Sequence, residues 1–185
     1  MTCFELVKAL IHRDASVQRE ACPYGKFRVT LTEAQCPASI ATVCGLPEDS
    51  IVIRLDDNLD LNKIFQDSRH ECRRCDFIIV ARIEDAVVIV YIEMKHGRGD
   101  NSHIRDQLRG ARCFVDYMQS LGKAFALHET FLKDAKHRFV AIIGPGPQKG
   151  KTSVRAMKAD HNSPDSPLFL TSPRQVAFAY IAGGN

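Results

Sequence analysis

No stretch of this chain is apolar over the ~18 residues that a membrane-spanning helix needs. The longest apolar run, from Ala86 to Ile92, has only the length of a β-strand. The first residues, Met1 to Glu5, also lack the basic segment and the apolar core of a signal peptide. We therefore expect a cytoplasmic protein without a membrane partner.

A strong excess of charge is also missing, because the formal net charge is only +3 over 185 residues. Overall charge therefore does not indicate a nucleic-acid-binding protein, and any basic surface has to be local. The number of cysteines, seven, is odd, and we interpret them as reduced thiols. Neither a repeat nor a long linker divides the chain, and its length fits one domain.

The chain begins with a helical pattern. Phe4, Val7 and Leu10 recur at helical spacing, which predicts a first helix over residues 3–13. Other short elements are indicated by β-branched runs, turn residues and apolar spacing. They are strands over 26–31, 50–55, 138–143, 152–158 and 168–170, a short helix over 61–65, and a helix or strand over 175–181.

A hairpin is predicted in the middle of the chain. Two β-rich runs, residues 75–83 and 86–95, are separated only by the dipeptide Glu84-Asp85, which predicts a two-residue loop. Neither run alternates cleanly between apolar and polar residues. Both faces of these strands are therefore predicted to be buried.

Three charged side chains are predicted to meet at the open end of this hairpin. The two-residue loop places Asp76 opposite Glu93, and Lys95 projects from the same face. Two carboxylates suit Mg²⁺ together with phosphate and water, and a nearby lysine can stabilise developing negative charge or orient the attacking water. Without a metal, such charges between apolar strands would be expensive to bury. A solvated strand end is the alternative interpretation.

A long helix is predicted after this hairpin. Residues 96–101 form a glycine-containing loop, and Ser102 is the expected N-cap of the helix that follows. The helix is expected to end at about Leu121, with Gly122 as its C-cap. Gln107 lies near its beginning.

The order and the β-β-α context of these motifs resemble the PD-(D/E)xK nuclease superfamily. Cys75-Asp76-Phe77 stands for its acidic motif and Glu93-Met94-Lys95 for its (D/E)-x-K motif, within residues 68–143. The resemblance implies a restriction-endonuclease-like α/β fold over residues 1–185, in which helices flank a central mixed β-sheet in the order α-β-β-β-α-β. It also implies Mg²⁺-dependent hydrolysis of phosphodiester bonds, with Mn²⁺ as a substitute, in DNA rather than RNA and as an endonuclease.

The same resemblance assigns roles to individual residues. It implies that Asp76 and Glu93 bind the metal, with the backbone carbonyl of Met94 as a further ligand. Lys95 would position or activate the attacking water. A glutamine on the following helix joins the site in several subgroups, and Gln107 matches that position.

Two further groups of residues complete the predicted site. The resemblance implies a metal-binding glutamate on the first helix, for which Glu5 is the candidate, although Glu5 also fits a Thr-x-x-Glu capping box. Four arginines that flank the motifs are predicted to contact nucleic-acid phosphates, with ordinary surface charge as the alternative. They are Arg73, Arg74, Arg98 and Arg105.

Two other motifs indicate different chemistry. Cys72-x-x-Cys75 beside His70 suggests zinc, but a structural zinc site needs four ligands and no second Cys-x-x-Cys is present. Residues 144–152 nearly match a phosphate-binding loop, but Pro145 occupies a required glycine position and has no N–H to offer a phosphate. We disfavour both interpretations.

The main alternative to a nuclease is a non-catalytic module that keeps a nuclease-like fold for nucleic-acid binding or assembly. The chain leaves little room for an added target-recognition domain. We therefore expect either low sequence specificity or specificity supplied by a homodimer or a partner protein.

Overall fold

The structure is a computed structural model that describes residues 3–55, 60–97, 100–126, 129–144, 160–171 and 173–184. Within these ranges the chain is an α/β protein with two mixed β-sheets. The helices are α1 (Cys3–Leu10), α2 (Asn101–Ala126) and α3 (Phe178–Ile181). The strands are β1 (Glu20–Cys22), β2 (Lys26–Glu33), β3 (Cys36–Leu46), β4 (Ser50–Arg54), β5 (Phe77–Ile83), β6 (Ala86–Lys95), β7 (Lys136–Ile143), β8 (Leu168–Thr171) and β9 (Gln175–Ala177). None of the described helices is both long and apolar enough to cross a membrane.

The larger sheet has five strands in the order β4-β5-β6-β7-β8. Strands β4, β5 and β6 form an antiparallel meander, whereas β7 and β8 run parallel to β6. Helix α2 connects β6 to β7, since parallel neighbours need a long crossover. The predicted order α-β-β-β-α-β is thus present as α1, β4, β5, β6, α2 and β7, with β1, β2 and β3 between α1 and β4.

The register of the central hairpin is the predicted one. Ile83 pairs with Ala86 next to the loop, and the pairing continues without a shift to Phe77 and Ile92. Glu84 adopts a φ of 53°, which closes the two-residue loop. Most of both strands is buried on both faces, as their uninterrupted apolar runs predicted.

The second sheet has four strands in the order β1-β2-β3-β9 and covers one face of the larger sheet. Alternate residues of β2 and β3, such as Leu31 and Val43, pack against Phe77, Val90 and Ile92. Helices α1 and α2 cover the opposite face. The prediction of a sheet flanked by helices is therefore right for one face. The other face is covered mainly by the second sheet, because β2 and β3 alternate buried and exposed side chains, and the short helix α3 adds Phe178 and Ile181.

Several predicted boundaries also differ from the structure. Helix α1 ends at Leu10, earlier than predicted, and residues Leu61–Lys63 form a single 3-10 turn rather than an α-helix. The segment over 175–181 is a strand followed by a helix, so both predicted alternatives occur. The predicted strand over 152–158 lies outside the described residues, as does most of the phosphate-loop-like segment.

Both predicted ends of α2 are wrong. Asp100, not Ser102, caps its N-terminus, because the Asp100 Oδ1 accepts hydrogen bonds from the backbone N–H and the hydroxyl of Ser102, each at 2.8 Å. The helix continues through Gly122 to Ala126 instead of ending there. Gly122 is needed for packing, since a Cβ at this position would overlap the buried ring of Phe131.

Replacing Gly122 by alanine tests this packing. Helix propensity alone predicts a gain of ~1 kcal/mol in the free energy of unfolding. We expect the opposite, a loss of about 1–3 kcal/mol, because the added methyl group displaces the Phe131 ring. Urea denaturation of Gly122→Ala, with the exposed Lys123→Ala on the same helix as control, measures the difference. A stabilised Gly122→Ala variant would contradict the packing explanation.

A polar contact lies between β6 and β7 on the helix-covered face. The Tyr91 hydroxyl and the Nδ1 of His137 form a hydrogen bond at 2.9 Å, and the Tyr91 ring stacks on Phe139 with centroids 4.5 Å apart. Burial, with a further contribution from the cation of Arg112, lowers the pKa of His137 to about 4. His137 is therefore neutral in the folded protein at neutral pH.

This histidine predicts a loss of stability in mild acid. The unfolded chain binds a proton on His137 near pH 6.5, whereas the folded protein does so only near pH 4. Its contribution to stability is therefore complete above pH 6.5 and is lost as the pH falls toward 4. Because the ring is only partly buried, we expect about 1–2 kcal/mol of loss between pH 7 and pH 5. Urea denaturation at both pH values should show a smaller loss in His137→Gln, and equal losses would refute the assignment.

Candidate active site

A cleft of about 220 Å³ lies at the open end of the β5–β6 hairpin. Four parts of the chain meet there: the end of β2 with its following turn, the loop before β5, the end of β6 and the beginning of α2. The lining residues are Glu33, Gln35, Cys72, Arg73, Arg74, Asp76, Lys95 and Gln107. The structure therefore brings Asp76, Lys95 and Gln107 together, as the sequence predicted.

Asp76 is held in place by the neighbouring strand. It directly precedes β5, is 8% exposed, and its Oδ2 accepts a hydrogen bond from the Met94 N–H at 2.6 Å. Its own carbonyl accepts the N–H of Leu55 at 2.9 Å. Continuing the register past Phe77 and Ile92 puts Asp76 opposite Glu93. The carboxylate is thus fixed beside the end of β6.

Glu93 is the fully buried acid of this site. Its Oε1 lies 2.7 Å from the Lys95 Nζ, while its Oε2 has no hydrogen-bond partner among the described residues. Burial, and next the negative charge of Asp76, raise the pKa of Glu93 well above its usual range, although Lys95 opposes this.

Lys95 supplies the ammonium group of the cleft. Its side chain is 30% exposed and pairs with Glu93. Burial alone would lower the pKa of Lys95, but Glu93, followed by Asp76 and Glu33, raises it above the usual value. The ammonium is therefore charged at neutral pH and pairs with the Glu93 carboxylate.

Comparison of the chain with protein-family models, with curated proteins and with solved structures gave no match. Function is therefore inferred from the cleft itself.

Helix α2 places Gln107 in the cleft. Ile104 and Leu108 are buried against the larger sheet, which turns the intervening Gln107 toward the cleft. One turn further on, Gly110 lies against the backbone of Arg73, where a Cβ would overlap the carbonyl group. This close approach brings the helix against the loop that leads into Asp76.

The four predicted phosphate-binding arginines do not share one location. Arg73 and Arg74 line the cleft. The Arg74 guanidinium donates to the carbonyls of Leu55 and Cys72 at 3.1 and 3.0 Å, so it also holds the loop in place. Arg105 is exposed on α2 and does not line the cleft, and Arg98 lies outside the described residues.

Glu5 is not among the residues that line the cleft. It is exposed on α1, on the helix-covered side of the larger sheet. Met94 is buried between the sheets, and its N–H is bound to Asp76. The metal-binding role of its carbonyl stays a prediction.

Sequence reasoning missed Glu33 and Gln35, which reach the cleft from the second sheet. Glu33 ends the alternation of buried residues Val29 and Leu31 in β2, and its Oε2 is buried without a hydrogen-bond partner among the described residues. A charged residue at an inward-facing strand position is the signal that could have identified it.

The acidic residues of the site suit Mg²⁺ or Mn²⁺ better than Zn²⁺. In the part of the chain that the structure describes, no three His, Cys, Asp or Glu side chains lie close enough together to hold a metal directly. Cys72 and Cys75 are buried thiols that contact backbone carbonyls. The partnerless Oε2 of Glu93 and the carboxylate of Asp76, which lies opposite Glu93 in the hairpin register, are instead hard oxygen donors. They are the residues that could hold Mg²⁺ or Mn²⁺.

Proposed function

We propose that this chain is a divalent-metal-dependent nuclease of the PD-(D/E)xK type, which hydrolyses phosphodiester bonds in DNA as an endonuclease. Glu93 carries this proposal, since it is a fully buried carboxylate with one partnerless oxygen. It pairs with Lys95, which lines the cleft together with Asp76. The succession α1, β4, β5, β6, α2, β7 supports a restriction-endonuclease-like core.

The buried carboxylate of Glu93 supports a cation as its missing partner. Its Oε2 has no hydrogen-bond partner among the described residues, and Lys95 pairs with its Oε1. Burying charge without compensation costs several kcal/mol at least. An arrangement of this kind is retained where it serves a function, which favours Asp76 and Glu93 as metal ligands, with the Met94 carbonyl beside them.

Three residues of the cleft would each have a separate role in the hydrolysis. A divalent cation, when bound, polarises the phosphoryl group and lowers the pKa of water. The Lys95 ammonium would stabilise the negative charge that develops on the phosphate and orient the attacking water. Gln107 would hold the same water or a phosphate oxygen from the opposite wall, and Arg73 would attract the phosphate backbone.

Covalently closed plasmid DNA and a structured RNA, each with Mg²⁺, Mn²⁺ or EDTA, test the proposed function. We expect nicked and linear plasmid with either metal and intact plasmid with EDTA. A closed circle has no ends, so its cleavage identifies an endonuclease. Cleavage of RNA alone would correct the substrate. Cleavage that survives EDTA would refute the metal mechanism, and binding without cleavage would favour a non-catalytic module.

A further inference from the structure

Glu33 is the acidic residue of the cleft that comes from the second sheet. It is half-buried at the end of β2 and lines the cleft together with Asp76 and Lys95. Its Oε2 is buried and has no hydrogen-bond partner among the described residues. Such a carboxylate oxygen is costly unless a cation or a bound water reaches it.

Glu33 shares the cleft with one carboxylate of the central site. It lines the cleft together with Asp76 and Lys95. Lys95 in turn pairs with the fully buried Glu93, whose Oε2 also has no hydrogen-bond partner among the described residues. Two carboxylates, one at the end of the second sheet and one beside the larger sheet, thus border the same cleft.

We propose that Glu33 is the third acidic residue of the metal site and that it binds the cation through a water molecule. This role rests on the nuclease function proposed above. Direct ligation by three acids does not fit, because no three acidic side chains in the described ranges are close enough to share one ion. A water-mediated contact satisfies the buried Oε2 of Glu33 and adds negative charge where the cation sits. The second sheet then contributes to metal binding as well as covering the core.

Titration calorimetry with Mn²⁺ alone tests this role without any nucleic acid. Glu33→Gln keeps the shape of the side chain and removes its charge, and Glu84→Gln makes the same change at the exposed loop at the opposite end of the hairpin. We expect Glu33→Gln to weaken Mn²⁺ binding about 10–100-fold, the usual effect of losing an outer-shell ligand partner. Glu84→Gln should bind like the wild type.

Stability separates a metal-binding role from a structural one. Without metal, Glu33→Gln should melt no lower than the wild type, because it removes the charge of a carboxylate whose Oε2 is buried without a hydrogen-bond partner among the described residues. Glu33→Asp, which keeps the charge, should bind Mn²⁺ more tightly than Glu33→Gln.

The outcomes distinguish the two proposals. Equal Mn²⁺ affinity in Glu33→Gln and Glu84→Gln would overturn the role of Glu33 and leave the nuclease standing. A lower metal-free melting temperature with unchanged affinity would assign Glu33 to the fold and overturn the role too. A wild-type protein that binds neither Mn²⁺ nor Mg²⁺ would overturn both proposals.

Discussion

Glu93→Gln is expected to abolish cleavage and, in the same protein, to raise the melting temperature measured without metal. Glutamine keeps the size of the side chain but removes a negative charge that is fully buried and lacks a partner at Oε2. We expect a gain of about 1–3 kcal/mol in the free energy of unfolding in EDTA, because an unsatisfied buried charge costs at least that much. A metal ligand contributes several kcal/mol to the transition state, so cleavage should fall by about 10³-fold or more.

The expected effects of Glu93→Gln on stability and on cleavage have opposite signs. A residue that only stabilises the fold would lower stability and activity together, whereas a functional residue that strains the fold trades one for the other. Mg²⁺ should raise the melting temperature of the wild type and of the control Glu84→Gln, but not that of Glu93→Gln. Differential scanning fluorimetry with and without Mg²⁺ gives all these values. A destabilised Glu93→Gln protein that still cleaves DNA would be incompatible with the assigned site.

Gly110→Ala is expected to lower the free energy of unfolding by about 3 kcal/mol or more and to impair cleavage. A Cβ on Gly110 would overlap the backbone carbonyl of Arg73, and backbone cannot move aside as a flexible side chain can. Overpacking usually costs about 1–3 kcal/mol, and a clash with backbone lies at the upper end. Helix propensity alone predicts a gain of ~1 kcal/mol, so the sign separates the two effects.

The expected effect of Gly110→Ala on cleavage follows from the position of the contact between Gly110 and the Arg73 backbone. Gly110 is one turn from Gln107, and Arg73 belongs to the loop that leads to Asp76. Pushing α2 away from this loop would separate two walls of the cleft. Chemical denaturation and plasmid cleavage of Gly110→Ala check both parts, with Ser120→Ala on the same helix as control. Wild-type stability in Gly110→Ala would show that α2 does not approach the loop this closely.

The residues of the central hairpin were predictable because their geometry is local. A two-residue loop fixes the pairing of the strands that follow it, so the relation of Asp76 to Glu93 and Lys95 was contained in a short stretch of sequence. The apolar runs of β5 and β6 also indicated correctly that both faces are buried. Gln107 was expected only because the resemblance to the nuclease superfamily implies a glutamine on the helix that follows this hairpin.

The second sheet was not predictable in the same way. Strand β3 contains Pro37 and Gly45, two residue types that are rare inside strands and therefore hide its strand pattern in the sequence. It also pairs with the distant strand β9, where Thr42 lies beside Gln175. Such contacts between distant segments leave no periodic pattern. Glu33 therefore stayed hidden as a site residue. Gly122 was misassigned for a related reason, because its partner Phe131 lies on another segment, beyond the helix.

The measurement that tests the central claim most directly combines Mn²⁺ binding with plasmid cleavage in Lys95→Ala. This change removes the ammonium that pairs with Glu93 at 2.7 Å and leaves both proposed metal-binding carboxylates intact. We expect Lys95→Ala to bind Mn²⁺ at least as tightly as the wild type, because the competing cation is gone, and to cleave plasmid about 10²–10³-fold more slowly. Wild-type cleavage by Lys95→Ala would contradict the role assigned to Asp76, Glu93 and Lys95.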